Sequence, residues 1–85
     1  MPRVILSLLY RNGWHAEFFN CDRKRARLPR TAFFNSDEAL TEFIRRAGGA
    51  KTLEDRNILE VQLKRKFLDV TLDLTEEQYA KLKLR

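Results

Sequence analysis

The alternation of apolar and polar positions divides the chain into short segments separated by turn signals. Val4–Tyr10 is an almost continuous apolar run, which is typical of a strand in a sheet. Asn12-Gly13 follows it, and this dipeptide favours a hairpin turn because both residues tolerate positive φ. We therefore predict that Trp14–Cys21 runs back against the first strand.

The length of this turn decides which side chains share a face of the hairpin. A two-residue loop at Asn12-Gly13 places Ile5 and Leu9 on the same face as Trp14 and Phe18. A loop one residue longer reshuffles these pairs. In either register both faces of the hairpin are largely apolar, which is unusual for a sheet with one face in water.

A third strand is predicted at Ala26–Phe34, after a turn near Asp22–Lys24. Pro29 lies within this strand and has no N–H to donate to a ladder. We therefore place the third strand at an edge of the sheet, or expect it to be broken at the proline.

A helix is predicted to follow the third strand. Asn35-Ser36-Asp37-Glu38 combines capping side chains with acids in the first turn. Leu40 and Ile44 then begin an apolar stripe at helical spacing, with Phe43 and Ala47 beside them. Gly48-Gly49 ends the helix.

The second half of the chain alternates with the period of a strand. Leu59–Leu63 and Leu68–Leu72 each place an apolar side chain at every second position, around a tight turn at Arg65-Lys66. This pattern predicts a hairpin with one apolar and one polar face, preceded by a loop at Ala50–Arg56. The alternative is a helix over Leu53–Phe67 capped by Thr52, whose apolar positions would scatter around the axis. We favour the hairpin.

A last helix is predicted after Leu74, because Thr75 and Gln78 have the spacing of a capping box. The predicted order is β-β-β-α-β-β-α over a single domain, residues 1–85. The fold class is therefore α+β, an antiparallel sheet of about five strands with two helices on one face.

Composition limits the chemistry that this chain can carry. Cys21 is the only cysteine, which excludes an internal disulfide framework and fits a reducing, cytoplasmic setting. His15 and Cys21 stand six residues apart on one predicted strand, about 20 Å, so they cannot act as a nucleophile and its base. We expect no catalytic site, metal, cofactor, small-molecule substrate or membrane-spanning segment.

The net charge of +5 is unevenly placed. Residues 1–35 carry seven basic and two acidic side chains, which accounts for the whole excess. An extended basic ribbon can follow a phosphate backbone, and nearby Phe33, Phe34 or Trp14 could stack bases. This is our hypothesis of nucleic-acid binding, and its candidate residues form the segment Arg23–Arg30 and a second basic tip: Arg23, Lys24, Arg25, Arg27, Arg30, Lys64, Arg65 and Lys66.

Two short helices cannot cover both apolar faces of the first hairpin. We therefore expect a homodimer that self-associates through an apolar sheet face made by Ile5, Leu9, Trp14 and Phe18. The alternative is that the third strand and the loop at Ala50–Arg56 cover this face. The sequence favours a non-enzymatic binding or assembly module over the nucleic-acid alternative.

Overall fold

A computed structural model describes residues 2–21 and 26–84 of the chain. In these residues four strands and three helices follow in the order β-β-β-α-α-β-α. The strands are β1 (Arg3–Tyr10), β2 (Trp14–Asn20), β3 (Arg27–Phe34) and β4 (Phe67–Asp73), and the helices are α1 (Asp37–Arg46), α2 (Leu53–Leu63) and α3 (Glu76–Leu82). The predicted α+β class with an antiparallel sheet is confirmed, although the numbers of strands and helices differ.

The sheet has the strand order β3-β2-β1-β4, and every neighbouring pair is antiparallel. β3 and β4 are therefore the two edge strands. The predicted edge position of the third strand is confirmed. Its pairing with β2 shifts register between Glu17 and Phe19, opposite the stretch that contains Pro29. The predicted turn near Asp22–Lys24 falls mostly outside the described residues.

The first hairpin turn has three residues rather than two. Arg11, Asn12 and Gly13 connect β1 to β2, and both Asn12 (φ 53°) and Gly13 (φ 124°) have the positive φ that the sequence predicts. The register therefore differs by one residue from that of a two-residue loop: Leu6 pairs with Phe18. The longer loop, which the sequence left open, is the one that forms.

The register separates the two faces of the sheet. Even-numbered residues from 4 to 8 in β1 and from 14 to 18 in β2 are buried in the core, together with Leu40, Ile44, Leu59 and Leu63 from α1 and α2. Odd-numbered residues of both strands point to the opposite side, which we call the open face. Because neither face of this hairpin is wholly polar, apolar side chains remain on the open face.

Helices α1 and α3 form where their caps predict them. The Ala39 N–H donates to Ser36 Oγ at 3.1 Å, and Thr75 and Gln78 form the predicted reciprocal capping box. α1 ends at Arg46 with Ala47 as its C-cap, and Gly48 follows with a φ of 76° that suits glycine.

The predicted hairpin over Leu59–Leu72 is wrong in its first strand. Thr52 and Asp55 form a capping box that starts α2, so the region predicted as a loop already contains helix. Leu59 and Leu63, four residues apart, face the core, whereas Val61 between them is exposed. The apparent alternation therefore comes from two leucines that face the core and one valine that faces solvent. Strand β4 pairs with β1 instead.

Candidate functional site

The four residues predicted for self-association do not share one surface. Ile5 and Leu9 lie on the open face, whereas Trp14 and Phe18 are fully buried in the core. The one-residue register difference causes this separation, because it moves every side chain of β2 to the other face relative to β1. Neither Trp14 nor Phe18 can contact a partner directly in this fold.

The predicted basic ribbon is described only in part. Arg23, Lys24 and Arg25 lie outside the described residues. Arg27 Nη1 forms an ion pair with Glu17 Oε2 at 3.0 Å, and Arg30 is exposed on β3. Arg27 is therefore at least partly neutralised by its neighbour on β2.

The second basic tip lies at the opposite end of the sheet. Arg27 is level with Ile5, whereas the carbonyl of Lys66 accepts a hydrogen bond from the Tyr10 N–H at 2.9 Å. Five residues along a strand correspond to about 17 Å. Arg27 and the second basic tip therefore lie at different ends of the sheet.

An exposed row of side chains crosses the open face at the Tyr10 end. The register places Phe33, His15, Leu9 and Phe67 directly opposite one another, one from each strand. The exposed fractions are 53% for Phe33, 45% for Leu9 and 60% for Phe67. We call these four residues the aromatic row. Adjacent strands lie about 4.8 Å apart, so the row is about 14 Å long.

The β1–β2 turn supports one end of this row. A Cβ atom on Gly13 would clash with Cζ and Cε1 of Phe33, so the missing side chain makes room for that ring. His15 packs edge-on against Phe33, with ring centroids 5.0 Å apart. The His15 Nε2–H donates to the Arg11 carbonyl at 3.0 Å in the tautomer that this contact requires. The turn thus holds both rings in place.

The two turns at the Tyr10 end of the sheet carry a group of cations. Arg11 follows β1, and the turn between α2 and β4 supplies three more exposed cations, Lys64, Arg65 and Lys66. None of the four forms an ion pair within residues 2–21 and 26–84. Lys66 Nζ instead lies 4.2 Å above the Tyr10 ring.

Described cations near the other end of the open face are paired with acids. Asp73 bonds to Arg3 Nε at 3.0 Å and to Lys51 Nζ at 3.2 Å. The hydrogen bond from Arg3, followed by the one from Lys51, holds the pKa of Asp73 below its ordinary value. Arg3, Lys51 and Arg27 are thus each paired with an acid, whereas Arg11, Lys64, Arg65 and Lys66 at the Tyr10 end form no ion pair among the described residues.

The free edge of β4 forms a second surface. The Tyr10 N–H bonds to the Lys66 carbonyl, and the Leu74 N–H bonds to the Pro2 carbonyl at 2.8 Å. Because alternate residues of an antiparallel strand bond to a given neighbour, even-numbered residues of this segment face β1. Asp69 and Thr71 therefore direct their backbone groups outward. No backbone bond from another described segment reaches them.

Helix α2 runs beside this edge and adds apolar surface to it. A groove between the two is lined by Gly49, Ile58, Gln62, Asp69, Val70 and Thr71. Ile58 is 49% exposed and Val61 is 57% exposed. We call the outward backbone of Asp69–Thr71, together with the side chains of Ile58 and Val61, the β4–α2 flank.

The residues considered for catalysis are held by other contacts. His15 bonds to a backbone carbonyl, Glu17 is paired with Arg27, and Cys21 is exposed beyond the end of β2. Within the described ranges, no three histidine, cysteine or acidic residues are grouped to hold a metal ion.

Sequence reasoning missed the aromatic row and the β4–α2 flank. Phe33 was recognised as a stacking candidate, but Phe67 was assigned to a turn. Arg11 carried no signal of its own, since only the fold brings it beside Lys66. A correct assignment of α2 through Thr52 would have predicted that β4 joins the sheet as a separate strand.

Comparison with protein-family models, curated proteins and solved structures found no match to this chain. In the part of the chain that the structure describes, every helix is too short or too polar to span a membrane.

Proposed function

We propose that this chain is a non-enzymatic assembly module that forms a homodimer through the β4–α2 flank. The observation that carries this proposal is the unpaired backbone of Asp69 and Thr71 beside the exposed side chains of Ile58 and Val61. An unpaired strand edge is a template for another strand, and apolar surface beside it adds the driving force of burial.

The charges of β4 select one register for pairing with a second copy. With Val70 on the two-fold axis, Asp69 lies opposite Thr71 of the partner subunit, and their outward backbone groups meet. If Asp69 lay on the two-fold axis, the Asp69 carboxylates of the two subunits would face each other. If Thr71 lay on the axis, Asp69 of each subunit would face Asp73 of the partner subunit. Like charges directly opposite destabilise a ladder, so the strand is self-complementary in the first register.

Helix α2 fits the same two-fold axis. It runs antiparallel to β4, with the Lys51–Asp73 ion pair joining one end and the turn at Lys64–Lys66 joining the other. The midpoint of α2 is Ile58 and the midpoint of β4 is Val70, and both line the same groove. Two copies related at Val70 would therefore bring both α2 helices together on one side of a continuous sheet.

The proposal is tested by measuring mass against protein concentration with sedimentation equilibrium. We expect a reversible dimer of twice the 10.1 kDa chain. Val61→Asp places a charge in the apolar contact, and Thr71→Pro removes an outward N–H that has no partner in the monomer. Each variant should weaken the dimer at least tenfold, about 1.4 kcal/mol.

Leu84→Asp is the matched control. Leu84 is similarly exposed and follows α3, which packs near β3 at the opposite edge of the sheet. This variant should dimerise like the parent chain. A chain that stays monomeric at every concentration would refute the proposal, and so would equal weakening by the control. If only Leu9→Asp abolished the dimer, the interface would lie on the open face instead of the β4–α2 flank.

Nucleic-acid binding is the second proposed function, and the unmatched cations at the Tyr10 end favour it. The segment Arg23–Arg30 remains a proposed contact for a phosphate backbone. The proposed setting is the cytoplasm, where the exposed thiol of Cys21 would remain reduced.

A further inference from the structure

We infer that the open face binds single-stranded nucleic acid, with bases stacked on Phe33 and Phe67 and phosphates held by Arg11, Lys64, Arg65 and Lys66. This inference rests on the second proposed function. It moves the site from the Arg23–Arg30 segment to the aromatic row and keeps the second basic tip, Lys64–Lys66. It does not require the proposed dimer, although Arg65 also lines a groove with Ile58 and Val61 of the β4–α2 flank.

The first argument is the exposure and spacing of the rings. Phe33 and Phe67 stand at the two ends of the aromatic row, on the two edge strands, and more than half of each side chain is exposed. Their separation of about 14 Å spans about two nucleotide steps of a strand stretched to twice its duplex rise. Aromatic rings stack with every base, so the site would be tolerant of sequence.

The second argument is the preorganisation of Phe33. Gly13 leaves room for its ring, and His15 supports the ring edge-on. His15 is in turn fixed by the carbonyl of Arg11. Holding an exposed ring in one orientation reduces the entropy that binding would otherwise cost.

The third argument is charge. The two turns at the Tyr10 end of the sheet carry four cations that form no ion pair among the described residues, whereas Arg3, Lys51 and Arg27 near the other end are each paired. A second copy packed face to face would gain no charge complementarity from the four cations. A polyanion would, and its bound counterions would be released into solution.

Single strands are favoured over a duplex by the shape of this surface. The row is a short, nearly flat line of side chains on a sheet, with Leu9 and His15 between the rings. Stacking on these rings requires bases that are free of their own neighbours, which a duplex does not offer.

The test is fluorescence anisotropy of the full chain with labelled oligothymidylate and oligouridylate at several salt concentrations. Both polymers should bind, with an affinity that falls as salt rises. The tighter of the two identifies the polymer that the site prefers. Phe33→Leu with Phe67→Leu should weaken binding about tenfold or more, and Phe33→Tyr with Phe67→Tyr should retain it.

Charge-matched variants separate this site from general attraction. Lys64→Ala with Arg65→Ala should weaken binding and flatten its salt dependence. Lys81→Ala with Lys83→Ala removes the same charge at the end of α3 and should have a smaller effect. Circular dichroism of each variant confirms that the fold is retained.

Four outcomes would overturn the inference. These are absence of binding, equal losses in the two lysine-containing variants, a duplex that binds as tightly as the single strand, or loss of binding only when Arg23 and Arg25 are replaced. The last result would assign the function to the Arg23–Arg30 segment.

Discussion

Trp14 joins a strand, a helix terminus and the core through one side chain. Its indole is fully buried, and Nε1–H donates to Asp37 Oδ1 at 2.7 Å. Asp37 is also the first residue of α1, where a carboxylate is stabilised by the helix dipole. A single carboxylate thus satisfies a buried donor and stabilises the start of a helix.

Removing this acceptor should be costly. Asp37→Ala leaves the buried indole N–H without its partner, and an unsatisfied buried donor costs about 1–3 kcal/mol. We expect the free energy of unfolding to fall by that amount in urea denaturation followed by tryptophan fluorescence.

Glu38→Ala is the control for the helix dipole. Glu38 lies in the same first turn and is exposed, so its replacement should cost at most about 1 kcal/mol. If Asp37→Ala and Glu38→Ala have the same effect, the bond to Trp14 contributes nothing beyond the helix terminus.

Asp73 connects three elements at the Arg3 end of the sheet. It terminates β4, bonds to Arg3 at the start of β1, and bonds to Lys51 in the segment that precedes α2. The carbonyl of Asp73 also leaves no room for a Cβ at Gly48. The end of β4 is thereby held against the connection between α1 and α2.

This arrangement predicts a dependence of stability on acid. The pKa of Asp73 is lower in the folded chain than in the unfolded one, where it is about 3.9. Its contribution to stability is therefore complete above that value and is lost as pH falls through the lower, folded-state pKa. The unfolding midpoint of Asp73→Asn in urea should lie below that of the parent chain at pH 6 and approach it near pH 2. A difference that does not change with pH would contradict this account.

The elements that the sequence predicts well are those with their own local signals. α1 and α3 have capping side chains next to an apolar stripe, and the first hairpin has Asn12-Gly13. In each case the residues that specify the element lie within it or at its boundary. Tertiary packing is consistent with these local signals and does not override them.

α2 and the register of the first hairpin depend on distant partners. Leu59–Leu63 alternates like a strand, but β1 can pair with only one more strand after β2, and β4 takes that place. The turn has three residues because that register buries Trp14 and Phe18 together with Leu6. Neither helix α2 nor the register of the first hairpin follows from the local pattern alone. The candidate surfaces depend on both, so the sequence indicates which residue types take part but not which side chains share a surface.

At the scale of the whole molecule, the two proposed surfaces are compatible. A two-fold axis that pairs antiparallel strands is perpendicular to the sheet, so both open faces lie on the same side of the proposed dimer. With Val70 on the axis, Phe67 and Phe67 of the partner subunit are six residues apart along the strand direction, about 20 Å. The dimer would present two aromatic rows on one continuous surface.

Two linked sites predict that affinity depends on the length of the oligonucleotide. A strand that fills only one row should bind the parent chain and Thr71→Pro equally, because that variant changes no charge and leaves the aromatic row intact. A strand long enough to bridge the gap of about 20 Å should bind the dimer more tightly, since its second contact occurs at a high effective concentration. Thr71→Pro should remove that advantage, whereas the control Leu84→Asp should keep it. Anisotropy titrations with short and long oligothymidylate measure the difference. If the long strand binds the monomeric variant as tightly as the dimer, the two rows act independently and assembly serves another purpose.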